Sequence, residues 1–208
     1  EAKEPLPRAM GMAPLTLWLG PRDTRLRPWQ PAPCHQVFSE SHRVPSMYEP
    51  PPVTDEQIRA IELLRSSQRI LLTGHERPDG DCVGSQAALA CALNSSGKSA
   101  FVMNVDAPAS VFSELTALAD FRVDSGAALP DHDLVVMLDG GDLSRTGALQ
   151  ERLARAPSKK LVVDHHLHDG NDWWDEAFVD TSASATGVLV RRLCAHLGAP
   201  ITPGAARA

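Results

Sequence analysis

The run Leu161-Val162-Val163-Asp164-His165-His166 ends an apolar stretch in three consecutive side chains able to bind metal or move protons. Two other apolar runs end the same way. Ile70-Leu71-Leu72-Thr73-Gly74 leads into His75 and then Asp79-Gly80-Asp81, and Leu134-Val135-Val136-Met137-Leu138 leads into Asp139. Taken singly, each ending has a plain explanation. Pro78-Asp79-Gly80 and Asp139-Gly140-Gly141 are turn sequences, and an isolated histidine is usually a surface or satisfied one. Three such endings together favour a site. Carboxylates gathered in a cleft repel one another and cannot all stay ionised without compensation, which a divalent cation usually supplies. Carboxylate with imidazole and no thiolate favours Mn²⁺, Mg²⁺, Co²⁺, Zn²⁺ or Fe²⁺. Asp79 and Asp81 straddle Gly80, a spacing that can send one carboxylate to each of two ions. Two ions roughly 3.5–4 Å apart lower the pKa of a bridging water and clamp phosphoryl oxygens during in-line displacement. Asp139, alone at its strand end, is a candidate bridging ligand. An imidazole not on a metal could bind the phosphate or protonate the leaving oxygen.

Positioning these groups takes strands and helices in alternation. Thr54-Asp55-Glu56-Gln57 is a capping-box pattern that opens a helix over 54–66. Strands are expected over 69–75, 99–105, 134–139 and 161–164, and helices over 83–94, 108–119, 148–154 and 184–197. The runs at 134–138 and 161–163 are apolar without alternation, as in strands buried on both faces. The expected fold is therefore α/β, a parallel sheet flanked by helices on both faces. In such sheets ligands bind beyond the carboxyl ends of the strands, which gathers His75, Asp79, Asp81, Asp139, Asp164, His165 and His166 at one edge.

The rest of the chain sets bounds. With 208 residues and 43% apolar composition there is enough for a core, and the formal net charge is -6. That balance argues against long nucleic acid held on a broad basic surface. No apolar run approaches the ~18 residues of a membrane span. Cys34, Cys82, Cys91 and Cys194 form no C-x-x-C pair, so a reduced, cytoplasmic protein with incidental thiols is expected. Residues 1–46 differ from the remainder. Eleven of the 17 prolines fall within 1–52, and Trp18 and Trp29 sit there without helical or strand period. This segment is expected to be disordered or a non-native extension, with the native start at Met47. Gly97-Lys98-Ser99 looks like the end of a phosphate loop, but position 92 is Ala where that loop needs Gly. Trp173-Trp174 is weighed as a base-stacking platform against simple packing, and packing is favoured.

These residues resemble the DHH phosphoesterase family. His75-x-x-Pro78-Asp79-Gly80-Asp81-x-x-Gly84-Ser85 is similar to its first motif, Asp139 with Asp142-Leu143-Ser144-Arg145-x-Gly147 to its second, and Asp164-His165-His166 to its third. Ser184-Ala185-Thr186-Gly187 and Ile201-Thr202-Pro203 match the stretch that follows. The spacing most resembles the bacterial oligoribonuclease/3′-phosphoadenosine phosphatase group, the nanoRNases. The resemblance covers about residues 54–208 and implies a role for each position. His75 and Asp79 bind a first metal, Asp81 and His165 a second, and Asp139 bridges both. His166 faces the scissile phosphate and Asp164 buttresses the imidazoles, so His166, Asp139 and Asp164 are the catalytic set. Arg145 and Ser85, with His166, are the substrate contacts.

The implied cofactor is a pair of Mn²⁺ ions, with Mg²⁺ or Co²⁺ as alternatives. The implied partner is a short oligonucleotide or nucleotide, with no long duplex and no membrane; a homodimer is compatible with the resemblance. The implied activity is hydrolysis of short oligoribonucleotides from the 3′ end and of adenosine 3′,5′-bisphosphate. Rivals are cleavage of linear or cyclic dinucleotides or of pyrophosphate, and a non-catalytic metal- or nucleotide-binding module. The family's fourth motif, with a further metal-binding Asp, and its C-terminal substrate domain are expected to lie outside residues 47–208. Residues 47–208 are thus expected to be an incomplete DHH-type catalytic domain with little turnover of its own.

Overall fold

The uninterrupted apolar runs become the centre of one parallel sheet. A computed structural model describes residues 50–168 and 173–208. The Pro-rich extension with Trp18, Trp29 and Cys34, and the start expected at Met47, lie outside the described residues. Along the chain run α1 (Asp55–Ser66), β1 (Arg69–Thr73), α2 (Gly80–Ser95), β2 (Ser99–Asn104), α3 (Ser113–Thr116), β3 (Phe121–Val123), β4 (Leu134–Leu138), α4 (Gln150–Arg155), β5 (Lys159–Asp164), β6 (Glu176–Val179), α5 (Thr186–Leu197) and α6 (Pro203–Arg207). The sheet order is β3-β2-β1-β4-β5-β6, and every pair is parallel. The order reverses between β1 and β4, the kind of switch point where open α/β sheets hold their ligands.

Burial explains the patterning. All five residues of β4 and the last four of β5 are buried, so neither strand has a polar face to alternate with. On one side Ile70, Leu72, Val136, Leu138 and Val163 pack against Ala60 and Leu64 of α1, Leu89 and Leu93 of α2, and Leu189 and Leu193 of α5. On the other, Leu71, Phe101, Met103 and Val135 pack against Leu149 and Leu153 around α4. Helices thus lie on both faces, with a lighter cover on the second.

Local signals account for the element ends. Thr54 accepts from Gln57 N and Gln57 Oε1 accepts from Thr54 N, closing the capping box of α1. Lys98 has no phosphate-loop role, because its ammonium caps the backbone oxygens of Arg65 and Ser67 at 2.8 and 2.5 Å. The helix expected over 108–119 shrinks to a 3-10 turn at Ser110–Phe112 and the single turn α3, neither of which buries a residue. No helix among the described residues is long and apolar enough to cross a membrane.

Candidate metal centre

Sheet register brings the three strand ends level. Thr73 pairs with Met137, Leu138 with Val163, and Asp164 with Val179. Asp139 N donates to Val163 O at 3.1 Å, which fixes the turn after β4 against β5. Asp139 has φ +61°, a left-handed conformation that Asp and Asn tolerate better than most residues. Asp139 is therefore a turn residue, and that same turn aims its carboxylate at His75 and His165.

The donor atoms converge without closing on one another. His75 Nε2 lies 3.6 Å from Asp139 Oδ2 and 3.8 Å from Asp79 Oδ1. His165 Nε2 lies 3.7 Å from both Asp81 Oδ2 and Asp139 Oδ1. His166 Nδ1 is 3.9 Å from Asp139 Oδ1. These gaps exceed hydrogen-bonding range. They match what two ligands, each about 2.0–2.2 Å from a shared ion, leave between themselves. Asp139 presents one oxygen to the His75 side and the other to the His165 side, as a bridging carboxylate must. Among the described residues, the donor groups that lie within 4.8 Å of one another are His75, Cys82 and Asp139, and Asp139, His165 and His166. Asp79 and Asp81 each approach one imidazole, His75 at 3.8 Å and His165 at 3.7 Å. Asp139 is common to both groups, so the cluster fits two neighbouring divalent cations that share it.

Each of these side chains is held from behind. His75 Nδ1 sits 2.8 Å from Glu76 O, which leaves Nε2 for the cleft. Asp79 is the N-cap of α2, its Oδ1 accepting from Asp81 N and Cys82 N at 3.1 Å. The helix thus starts at Gly80, three residues earlier than the Ala-rich stretch indicates. Asp81 Oδ2 and Oδ1 accept from Thr186 N and Gly187 N at 2.8 and 3.0 Å. Asp81 thereby caps α5, whose own N-cap residue, Ala185, has no side chain to do so. Thr186 Oγ1 donates to Asp139 Oδ1 at 3.0 Å and is fully buried. Asp164 Oδ1 accepts from His165 N and lies 2.8 Å from His166 Nδ1.

The electrostatics follow. The Asp139 carboxylate raises the His75 imidazole above its ordinary value, against burial and the Arg145 charge. Burial pushes Asp139 upward, but the His75 imidazole beside it, the hydrogen bond from Thr186 and the nearby imidazole charges outweigh it and hold the carboxyl below its usual range. Burial, helped by the Asp139, Asp79 and Asp81 carboxylates, pushes the Cys82 thiol far up. Its sulfur lies within 4.8 Å of His75 and Asp139 donor atoms.

Of the expected substrate contacts, Arg145 lines a pocket of about 330 Å³ together with Gly141, Asp142, His166, Leu167, His168 and Trp174. Ser85 is buried behind the site and donates to Asp81 Oδ1 at 3.3 Å. The tryptophan pair divides. Trp173 packs against the second core and donates to Gly141 O at 2.9 Å, while Trp174 faces the pocket. Three residues at the site carried no separate sequence signal: Thr186, Cys82 and His168. Thr186 could be found only through the resemblance of Ser184-Ala185-Thr186-Gly187. Cys82 shares a helical face with Gln86, four residues on.

An exopolyphosphatase-related protein from Bacteroides fragilis shares this architecture. The TM-score is 0.63 at 22% identity, over 70% of this chain and 46% of that one, so the likeness concerns the fold. Exonuclease RecJ bound to manganese is more distant, with TM-score 0.44 and 15% identity over 73% of this chain and 40% of that one. The chain spans less than half the length of either solved structure. The model of the DHH family, N-terminal domain, matches residues 69–206, a span that starts with β1 and holds all three strand ends, and the chain belongs to that family.

Proposed function

We propose that this domain is the catalytic half of a two-metal phosphoesterase of the nanoRNase kind. It hydrolyses short oligoribonucleotides from the 3′ end and removes the 3′-phosphate of adenosine 3′,5′-bisphosphate. The observation that carries the reading is the division of Asp139, one oxygen toward His75 and the other toward His165. When bound, the ions lower the pKa of a bridging water and withdraw charge from the phosphoryl oxygens. Mn²⁺ suits this carboxylate and imidazole set, with Mg²⁺ or Co²⁺ as substitutes. The chain's own groups do the rest. Asp139, kept ionised by Thr186 and His75, spans the two positions. His166, held through Nδ1 by Asp164, offers its other nitrogen to the phosphate or the leaving oxygen. Arg145 adds a fixed positive charge on the pocket side. Ser85 contributes by orienting Asp81, whose carboxylate it touches. The net charge of -6 suits small anions gripped at this one cleft in the cytoplasm, without long duplex.

The test is turnover with Mn²⁺ on a panel: a dinucleotide, a cyclic dinucleotide, adenosine 3′,5′-bisphosphate, pyrophosphate and inorganic polyphosphate. Release of mononucleotide, or of phosphate from the bisphosphate, is expected. Cleavage confined to pyrophosphate or polyphosphate would overturn the substrate assignment. Asp139→Asn keeps a residue that tolerates φ +61° and removes the bridge, so it should lower turnover by about 10³-fold or more. Turnover near the parent level would sink the two-metal reading.

A further inference from the structure

Asp164 is fully buried, and its two oxygens are treated unequally. Oδ1 accepts the backbone N–H of His165 at 2.8 Å and of His166 at 3.3 Å, and sits 2.8 Å from His166 Nδ1. Among the described residues, Oδ2 is buried without a hydrogen-bond partner. The group that faces it is His168 Nε2, 3.6 Å away, which is itself buried and, among the described residues, unpartnered. At that separation no hydrogen bond exists. A buried polar group left unpaired is costly, and a movement of well under ~1 Å would pair these two.

Packing explains why His168 sits there. A β-carbon at position 141 would overlap the His168 ring, so Gly141 is what makes room for the imidazole. Trp174 meets the other side of the ring edge-on, with centroids 5.3 Å apart and planes at 64°. The Trp173 indole N–H holds Gly141 O at 2.9 Å. Gly141 and Trp174 thus clamp the ring with Nε2 aimed at Asp164. Among the described residues, His168 is not one of the groups close enough to share an ion with Asp139.

We propose that His168 is a positioning residue: its Nε2–H donates to Asp164 Oδ2, so that Asp164 stands between two imidazoles and locks His166 with Nδ1 protonated and Nε2 turned to the pocket. This rests on the phosphoesterase reading, because it assigns His168 the task of aiming that reaction's phosphate-facing group. A carboxylate free to rotate would let His166 change tautomer and direction. A partner on each oxygen fixes its plane, as carboxylates behind functional imidazoles commonly do.

Two variants and one spectrum test it. His168→Leu removes the donor, and His168→Gln returns an N–H donor at similar reach. His168→Leu should lower kcat by about 10–100-fold, while KM and Mn²⁺ affinity by calorimetry stay within about twofold. His168→Gln should recover most of the lost kcat. Normal kcat in His168→Leu, equal loss in both variants, or a loss traced to weaker Mn²⁺ binding would each overturn the assignment. In the unaltered protein, ¹⁵N imidazole spectra should show the His168 Nε2–H protected from solvent exchange. If the protein hydrolyses nothing on the panel, the phosphoesterase reading fails alone. The spectrum then still decides on His168, a protected proton supporting the bond to Asp164 and a freely exchanging one refuting it.

Discussion

Asp139 is the residue on which the site turns, and Thr186 controls it. In the proposed two-metal site Asp139 would face both ions, and Thr186 Oγ1, donating to its Oδ1 at 3.0 Å, restrains the carboxylate from within the core. Removing the hydroxyl should therefore affect the site more than the fold. Thr186→Val keeps the shape and deletes the donor, and is expected to cost about 10–100-fold in metal affinity or turnover. Thr186→Ser should remain near the parent level. Titration calorimetry with Mn²⁺ separates the two variants, and equal affinities would remove Thr186 from the site. The difference between Asp139 and Thr186 is also a difference in legibility. Asp139 could be found because it ends an apolar run. Thr186 looks like any hydroxyl at a helix start, and only the packing of the start of α5 against the turn after β4 brings its hydroxyl to Asp139. His168 was hidden for the same reason: nothing in Leu167-His168 says that Gly141, far back in sequence, leaves space for its ring.

At the scale of elements, the central strands were legible and the edges were not. β1, β4 and β5 are continuous apolar runs because they are covered on both faces. β3 has three residues, two of them exposed, and β6 has four with only Ala177 and Phe178 buried. Edge strands this short leave no apolar run to read. α6 carries a Thr202 cap and Pro203 at its start, a correct start signal on a helix too short to show a period. What holds the elements in register around the site is a buried amide pair. Gln86 Nε2 donates to Asn104 Oδ1, and Asn104 Nδ2 donates to Gln86 Oε1, both at 2.9 Å. Gly74 N adds a third bond to Asn104 Oδ1 at 3.1 Å. This ties α2 and the end of β2 to the residue just before His75. Position 74 must be glycine here, since a β-carbon would overlap Cys82 Sγ and lie 2.7 Å from Gln86 Nε2. Asn104→Leu leaves the Gln86 amide and the Gly74 N–H unpaired, so it should cost about 2–4 kcal/mol in denaturant unfolding. The double variant Gln86→Leu/Asn104→Leu should lose less than the sum of the singles, because the second change removes the stranded partner. Strict additivity would mean that the pair does not act as a unit.

For the whole molecule, the question is whether a cation bound at the proposed site would be part of the fold or a guest in it. Periodicity and strand-end chemistry indicate that the charged groups share one edge, but not that β1 and β4 are neighbours at the reversal of the sheet. That order arises from packing among all the helices and has no local signature. Once formed, the arrangement gives each of these carboxylates at least one hydrogen bond. Asp79 caps α2, Asp81 caps α5, Asp139 is bonded by Thr186, and Asp164 by the backbone after it. The protein should therefore fold without metal, unlike small zinc domains that unfold when it is removed. It should still gain stability from a divalent cation, because the folded edge gathers ligands that the unfolded chain scatters. At Mn²⁺ concentrations 100-fold above its dissociation constant, binding at one site adds about 2.7 kcal/mol. For a chain of this size that raises Tm by roughly 5–11 °C. Thermal unfolding with EDTA and across a Mn²⁺ titration should show a cooperative transition in both limits and a Tm that climbs with the ion. Asp139→Asn should unfold in EDTA near the parent temperature and lose most of the climb. A protein that melts without cooperativity in EDTA would show that the metal is structural, and an undiminished climb in Asp139→Asn would show that it binds elsewhere.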